Sequence, residues 1–532
     1  MSSRNAGAIL SLSVFMLVAG VPAMSQSFRV QCPTSTITHP SGLHDNNSEP
    51  AYTGPTTLGL VTGPGNYLVP TANVNGAIKC QQISGGDGYS TMGDGTQTYM
   101  FSFGPLSGLA DIANGLPGTQ FPNVFNDPFP GTTVNPAVLR PGDPATTGLS
   151  GFTYNGAIGQ VADLDNGNII DGHVDPRQIM DVGVMNGNIP APLMAIDEDD
   201  EFFLTLSNVG MIMRPDLFEQ HTVHFHGYPN ASSFYDGVPD ASVAINIGGS
   251  FTYYYLAPDA GTYFWHCHIT PPEHLQMGMV GQIYVRPRQN RVPSTTTLYA
   301  ALQAQQLDPR TACNSAVDIL CSNPLPATNT AATGAATVEK GGTSGYAYND
   351  GDGSTYYDVE YPLQIHGFDP NFHFVGMTFN PEGFVDMKDK YFLLNGRSYP
   401  DTVTPGPLQT ESTDGKMHFS QPLASIINIP AGKKALLRIS DLDVTEYQTL
   451  ASLGIRMQVV GYNAKLLRDQ AGNNMYYKTN SITLAGGESL DVILDATGYI
   501  AGQVFYLYTS NLDHLSNDAE NFGGLMTEVH IN

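Results

Sequence analysis

The sequence predicts an all-β protein made of sandwiches or barrels, and two observations support this. Turn-forming residues are frequent, with 57 Gly and 37 Pro among 532 residues. Between the turns stand short runs rich in Val, Thr, Tyr and Phe, such as FTYYYLAP and QVFYLYTS. Runs of this kind, bounded by turn residues, are typical of β-strands. Because 41% of the residues are hydrophobic, the chain has the apolar side chains that a packed core requires.

The first residues predict export from the cytoplasm. Arg4 precedes the apolar run AILSLSVFMLVAGV, and small residues follow at Ala23 and Ser25. A short apolar run after a positive charge, followed by small residues, is typical of a secretory signal peptide. The run is too short to span a membrane comfortably. We therefore predict a signal peptide over residues 1–25 and an exported protein, periplasmic or extracellular, with no membrane span.

The remaining chain divides by composition. Residues 26–95 are polar and rich in Gly and Pro, which predicts an N-terminal arm. Strand patterns over 96–290 predict a first β-domain with a long insertion at about 105–175. The stretch ATNTAATGAATVEKGGTSG indicates a flexible linker within 291–354. A second dense series of strand patterns over 355–532 predicts a second β-domain.

Charge and cysteine content restrict the function further. The net charge of −26 argues against nucleic acid as a partner and favours cations near the surface. Four of the five cysteines can pair by proximity in sequence, Cys32 with Cys80 and Cys313 with Cys321. Cys267 is then left unpaired in an oxidising compartment, and metal ligation would explain why.

Six of the 14 histidines fall into two short segments, QHTVHFHGYP and FWHCHITPPEHLQMGM. Side chains alternate between the two faces of a strand. His224 and His226 therefore point one way, as do His266 and His268. If the two strands are neighbours, these four histidines meet on one face, while Cys267 meets His221 on the other.

The Cys267 face predicts a blue-copper site. The chain turns back after the strand and can bring His274 and Met279 to the cysteine, with Met277 as an alternative axial ligand. Two imidazoles, one thiolate and a weak thioether are the ligands of such a site. Zinc would prefer a closed tetrahedral set without Met, and a Cys–His nucleophile would not need six histidines. The opposite face predicts an imidazole-rich copper site that binds O2 or another small oxidant.

The segments HTVHFHG and WHCHITPPEHLQMGM resemble the paired copper motifs of multicopper oxidases. The resemblance implies type 1 copper at His221, Cys267, His274 and Met279, type 2 copper at His224, and type 3 copper at His226, His266 and His268. It also implies two cupredoxin-like Greek-key β-sandwich or barrel domains, because NGNIPAPLMAIDEDDEFFLTLSN and ITLAGGESLDVILDATG resemble cupredoxin strands. SFYDGVPD resembles the loop that places a proton-donating acid, here Asp236.

One departure from the family pattern concerns the second site. A complete centre in this family takes histidines from two domains, whereas the other histidines of this chain stand singly. His366, in the degraded motif QIHG, and His514, in TSNLDHLSND, are the candidates for additional ligands. The loop from Cys267 to His274 is longer than in common oxidases and resembles that of copper nitrite reductases.

These observations predict a copper-dependent oxidoreductase. A small-molecule or metal-ion donor would supply electrons at Cys267, from which they would pass to His266 and His268, where O2 is reduced. One alternative is a nitrite-reductase-like enzyme, expected as a homotrimer. The other is a non-enzymatic blue-copper protein that transfers electrons or binds copper with an incomplete second site.

Overall fold

The structure is a computed structural model, and it describes most of both predicted β-domains. The described residues are 31–39, 49–52, 58–60, 68–70, 75–125, 187–211, 213–227, 232–257, 259–292, 344–376, 383–411, 417–469 and 472–532. The predicted signal peptide, the second cysteine pair, most of the insertion after residue 125 and most of the linker lie outside these ranges.

The first half of the described chain forms a β-sandwich. Its strands are β1 Leu58–Leu60, β2 Leu68–Pro70, β3 Ile78–Thr91, β4 Gln97–Pro105, β5 Met194–Asp197, β6 Glu201–Gly210, β7 His224–His226, β8 Ser250–Leu256, β9 Gly261–His266 and β10 Val280–Arg286. One sheet has the order β4-β3-β6-β8 and the other β5-β10-β9-β7, while β1 and β2 form a separate ribbon. A single apolar cluster, which includes Phe103, Leu204 and Trp265, fills the space between the sheets.

The second half forms another sandwich. Its strands are β11 Gly345–Tyr346, β12 Tyr356–Tyr357, β13 Val359–Phe368, β14 Tyr391–Leu394, β15 Leu408–Glu411, β16 Met417–Ser420, β17 Ile427–Ile429, β18 Lys434–Asp441, β19 Gln448–Leu453, β20 Met457–Tyr462, β21 Lys465–Leu466, β22 Tyr477–Thr479, β23 Ser481–Leu484, β24 Glu488–Asp495, β25 Val504–Tyr508 and β26 Met526–Ile531. One sheet has the order β14-β13-β18-β24-β20-β21, with β22 beside β20, and the other has the order β17-β26-β25-β19-β23.

Helices are few and short in the described residues. They are α1 Leu109–Ala113, α2 Pro122–Phe125, α3 Pro271–Gln276 and α4 Pro370–Gly376. The all-β prediction is therefore confirmed. No helix of the described chain has the length and apolar character needed to cross a membrane.

Strand β3 differs from its sequence-based prediction. It lies within residues 26–95, where composition predicts an arm, yet it pairs with β4 on one side and β6 on the other. Its sequence, IKCQQISGGDGYST, has few β-branched or aromatic residues, so local preference is weak. Burial between two neighbours, rather than local propensity, makes it a strand. The predicted Cys32–Cys80 disulfide is confirmed, with an S–S distance of 2.02 Å, and it ties the preceding residues to β3.

The two sandwiches pack directly against each other. Thr262 on β9 donates to the Asp491 carboxylate at 2.6 Å. Gln282 on β10 donates to the Arg438 carbonyl at 2.9 Å and to the Ser440 hydroxyl at 3.0 Å. All of these side chains are buried. The strand that carries the histidine motif is therefore also a strand of the interface.

Candidate metal centre

The two histidine segments lie side by side at one edge of the first sandwich. Strand β7 pairs antiparallel with β9, so that His224 is opposite His266 and Phe225 is opposite Trp265. The structure therefore brings together the two strands whose pairing the sequence analysis assumed. Trp265 packs in the core, where it stacks on Phe103 with 5.2 Å between ring centroids.

Three residues form a closed group on the core side of the chain where β9 ends. The closed group is His221, Cys267 and His274, whose ligand atoms all lie within 4.8 Å of one another. The Cys267 sulfur is 3.4 Å from Nδ1 of His274 and 3.9 Å from Nδ1 of His221. All three side chains are fully buried. Two imidazole nitrogens aimed at one sulfur, away from water, form a donor set that suits copper.

Residues from elsewhere in the chain shape the closed group, and no sequence pattern singled them out. The Thr222 amide donates to the Cys267 sulfur at 3.5 Å. Gly85 on β3 leaves room for an imidazole, because a Cβ at this position would lie 2.6 Å from Cδ2 of His221. Phe101 on β4 contacts the His274 ring edge-on, with 5.2 Å between centroids. These contacts fix both rings.

The two histidines of the closed group have opposite proton affinities. Burial and the charge of His274 hold the pKa of His221 well below its usual value. Burial also disfavours a charge on His274, but the nearby Cys267 sulfur and the Glu219 carboxylate outweigh this effect and raise its pKa to about 9. Glu219 lies 3.5 Å from Nε2 of His274. A cation is therefore favoured at the Nδ1 side of this ring, next to the sulfur.

Both methionines considered for the axial position are buried in the first core. Met279 is joined by backbone to the closed group, since the Cys267 amide donates to the Met279 carbonyl at 3.1 Å. The Met279 amide in turn donates to the His274 carbonyl at 2.9 Å. Helix α3 thus returns the chain so that residues 274 and 279 lie beside the cysteine.

Four histidines form an open group on the other face. The open group is His224, His226, His266 and His268. His226 and His266 approach each other to 2.8 Å between their Nε2 atoms. The ligand atoms of His224, His266 and His268 lie within 4.8 Å of one another. Only His266 is fully buried, and the other three side chains are partly exposed. A small molecule can therefore reach this group from solvent.

Backbone carbonyls orient two of these rings. Nδ1 of His266 lies 2.7 Å from the Cys267 carbonyl, and Nδ1 of His224 lies 2.6 Å from the Asp236 carbonyl. An N–H that donates to a carbonyl leaves the other ring nitrogen, Nε2, unprotonated and available to a metal. The carboxylate of Asp236 is 3.5 Å from the same His224 ring and 29% exposed. The sequence-predicted acid thus stands at the mouth of the open group.

Three histidines of the open group favour the neutral imidazole. Burial, followed by the charges of His224 and His268, lowers the pKa of His226 to about 4. Burial and the neighbouring imidazoles hold the pKa of His266 well below its usual value, and burial lowers that of His268. Protons therefore compete weakly for these nitrogens at neutral pH, which favours metal binding.

The two candidates for additional ligands do not join the open group. Among the described residues, neither His366 nor His514 belongs to a cluster of metal-ligating side chains. His366 is buried in β13, and burial lowers its pKa to about 3. Both ring nitrogens of His514 are already engaged, Nδ1 with Gln448 and Nε2 with Glu446, each at 2.9 Å. Within the described residues, the open group therefore consists of histidines from the first sandwich alone.

The sequence of the first sandwich is similar to known copper proteins. Residues 169–290 match the family model described as multicopper oxidase, so the resemblance drawn from the histidine motifs is confirmed. Laccase abr2 of Aspergillus fumigatus is 33% identical over 109 residues, which are 20% of this chain and 17% of that protein. A copper-containing nitrite reductase of Rhizobium meliloti is 35% identical over 109 residues, 20% of this chain and 26% of that protein.

Among solved structures, the blue copper oxidase of Nitrosomonas europaea is 22% identical, with 65% of this chain and 78% of that chain covered and a TM-score of 0.42. The chain spans only 17% of the length of the Aspergillus laccase and 26% of the length of the Rhizobium nitrite reductase.

Proposed function

We propose that this protein is an exported copper-dependent oxidoreductase of the multicopper oxidase type. One observation carries the proposal: where strand β9 ends, residues 266–268 place a Cys–His group on one side of the backbone and a four-histidine group on the other. In this proposal the closed group with Met279 holds type 1 copper, His224 holds type 2 copper, and His226, His266 and His268 hold type 3 copper. Bound copper would accept single electrons at the first site and reduce O2 at the second.

The chain's own residues support transfer between the two groups. His266 and His268 are the covalent neighbours of Cys267, so the backbone of three residues connects them. Thr222 adds a second connection, because its amide donates to the Cys267 sulfur and its hydroxyl accepts the His268 amide at 3.0 Å. Asp236, at the mouth of the open group, would pass on the protons that O2 reduction consumes.

The surface and the partial exposure of the open group restrict the substrates. A net charge of −26 favours a cationic donor, so a metal ion such as Fe(II), Cu(I) or Mn(II) fits, and phenols remain candidates. The partly exposed imidazoles would admit O2 without a wide cleft.

A second candidate function is a nitrite-reductase-like reaction. The observation that favours it is that the described part of the second sandwich adds no histidine to the open group, since His366 and His514 do not reach it. A trimer whose neighbouring subunit completes the site would fit this arrangement. The third candidate function is that of a non-enzymatic electron carrier, which needs only the closed group.

Copper content and turnover distinguish these three candidate functions. The purified protein is loaded with copper, and bound copper is counted while electron spin resonance is recorded. A complete oxidase site predicts about four copper ions per chain, a nitrite-type site about two and a carrier about one. Oxygen uptake and nitrite consumption are then measured with the same one-electron donor. Absence of an intense blue band after loading would contradict all three.

A further inference from the structure

Gln276, at the end of helix α3, connects the closed group to the second sandwich. Helix α3 carries His274, and the Gln276 side chain is 98% shielded from solvent two residues later. Its Nε2 donates to Oδ1 of Asp389 at 2.5 Å. Its Oε1 accepts from Nε2 of His373 at 3.0 Å and from the Asp369 amide at 3.1 Å. Both ends of this amide are therefore held by the second sandwich.

Asp389 is one member of a buried carboxyl pair. Its Oδ2 accepts from the Thr445 hydroxyl at 2.5 Å, and its side chain is hydrogen-bonded to Asp443. Both carboxyl groups lie over Gly367, where a Cβ would overlap Oδ2 of Asp389 and lie 2.8 Å from Oδ2 of Asp443. Two hydrogen-bonded carboxyl groups away from water share a proton, since both cannot be ionised cheaply.

The proton on this pair belongs chiefly to Asp389. Burial, and next the charge of Asp443, raise the pKa of Asp389 to about 9. At neutral pH its protonated oxygen can donate to Asp443 while its carbonyl oxygen accepts from Gln276. Loss of the proton would place two negative charges side by side.

The pair is linked to the surface by side chains. Gln448 donates to Oδ2 of Asp443 at 2.6 Å, and its Oε1 lies 2.9 Å from Nδ1 of His514. Nε2 of His514 is 2.9 Å from Glu446, whose side chain is 44% exposed. The buried pair therefore lies at the inner end of a chain of hydrogen bonds that ends at a partly exposed carboxylate.

We propose that Gln276 and Asp389 are positioning residues for the Cys267 site, and that the Gln276–Asp389–Asp443 contact makes the placement of helix α3 depend on pH. The inference rests on the proposed function only in treating His274 as a copper ligand. Replacing Gln276 would release helix α3 from the second sandwich, and ionising the carboxyl pair would shift Asp389 away from Asp443 and carry Gln276 with it.

Several other charged or titratable groups surround this contact. The Asp369 amide and the His373 ring contact Gln276. The carboxylates of Glu446 and Asp441 act on the pair through their charge. Asp441 is the most similar to Asp389, because it is buried and its pKa is also raised well above the usual value, by burial and by Asp443. It contacts the Asp443 amide rather than Gln276, which makes it a matched control.

The first experiment uses the metal-free protein, so it does not depend on copper binding. Amide hydrogen exchange is measured for residues 267–279 at neutral pH in wild type, Asp389→Ala, Asp389→Asn, Gln276→Met and Asp441→Asn. We expect exchange about tenfold faster in Asp389→Ala and Gln276→Met, since a buried hydrogen bond to the helix is lost. Asp389→Asn keeps an acceptor for Gln276 and should match wild type, as should Asp441→Asn.

If Asp389→Ala does not fold, Gln276→Met decides the same question, because it leaves both carboxyl side chains in place. Unchanged exchange over residues 267–279 in folded Gln276→Met would overturn the proposal. Equal acceleration in Asp441→Asn would also overturn it, since any change in the acidic cluster would then loosen the loop.

The second experiment follows the visible spectrum and the reduction potential of the copper-loaded protein from neutral to alkaline pH. We expect a transition in wild type with a midpoint near the pKa of Asp389, about 9. The transition should persist in Asp441→Asn and disappear in Asp389→Asn. Its persistence in Asp389→Asn, or its absence in wild type, overturns the pH dependence. A wild-type protein without a blue band contradicts the proposed function instead, and hydrogen exchange still decides the positioning role.

Discussion

The closed and open groups lie on opposite sides of the backbone at residues 266–268, yet their surroundings differ. His221, Cys267 and His274 are fully buried, whereas three of the four histidines in the open group are partly exposed. Core aromatic rings, Phe101 and Phe103, pack against the closed group. This difference agrees with the proposed function, in which electrons enter at the group shielded from water and a small oxidant binds at the group that solvent can reach.

The electrostatics of the two groups differ in the same way. The pKa of His274 is raised to about 9 because the sulfur of Cys267 and the Glu219 carboxylate lie beside it. The pKa of His226 is lowered to about 4 because it is buried among other imidazoles. A metal entering the closed group must therefore displace protons at neutral pH, while one entering the open group finds neutral nitrogens.

Replacing the sulfur of Cys267 should have the largest effect of the substitutions, and it should alter copper binding at the closed group only. In Cys267→Ser we expect complete loss of the intense blue band, because that band requires a thiolate ligand. Donor oxidation should fall by about 100-fold or more, as expected when a metal ligand is removed. Visible spectroscopy checks the loss of the band. Copper counting should show that the open group retains its copper. A surviving blue band would show that the ligand assignment is wrong.

Removing an imidazole from the open group should give the converse result. In His226→Ala we expect turnover with O2 or nitrite to fall by about 100-fold while the blue band persists, because His226 does not touch the closed group. Reduction of the blue band by a one-electron donor, in the absence of oxidant, is the control and should be unchanged. Loss of the blue band in this variant would mean that the two groups are not separable.

The chemistry of both groups could be predicted from local sequence because it depends on strand alternation. Knowing that His266 and His268 flank Cys267 is enough to assign the two histidines to one face and the cysteine to the other. The pairing of β7 with β9 then brings His224 to the same face as His266, as the sequence analysis assumed. Spacing within short segments thus carries most of the information on the candidate site.

The residues that support the groups could not be predicted in this way, because they come from distant strands. Gly85 lies in β3, whose Gly-rich sequence resembles an arm and becomes a strand only through burial between β4 and β6. Asp389, which holds Gln276, is 113 residues away in sequence. Contacts of this kind depend on tertiary packing, which no local pattern records.

Adding one methyl group to the wall of the closed group should have an intermediate effect. In Gly85→Ala the new Cβ would lie 2.6 Å from Cδ2 of His221, so the ring or the strand must shift. We expect a displaced blue band and copper affinity at the closed group about tenfold weaker, comparable to the loss of a supporting contact around a metal ligand. Spectroscopic copper titration measures both.

Gly383→Ala is the matched control for this substitution. Gly383 has φ of −75°, and a Cβ there would meet its nearest neighbour at 3.7 Å, an ordinary contact. Its spectrum and affinity should equal those of wild type. An unaltered blue band in Gly85→Ala would mean that β3 does not constrain His221.

The smallest expected effect tests whether the open group is held neutral. His226 has a folded-state pKa of about 4, below its usual 6.5, so the unfolded chain binds more protons between these values. Its contribution to the stability of the metal-free protein is therefore present above pH 6.5 and is lost as pH falls through 4. Because His226 is partly exposed, we expect a loss on the order of 1 kcal/mol. Denaturant unfolding of wild type and His226→Gln measures it, since Gln does not titrate. Between pH 6.5 and 4, the free energy of unfolding should fall further in wild type than in the variant, by that amount. An equal fall in both proteins would contradict a lowered pKa of His226.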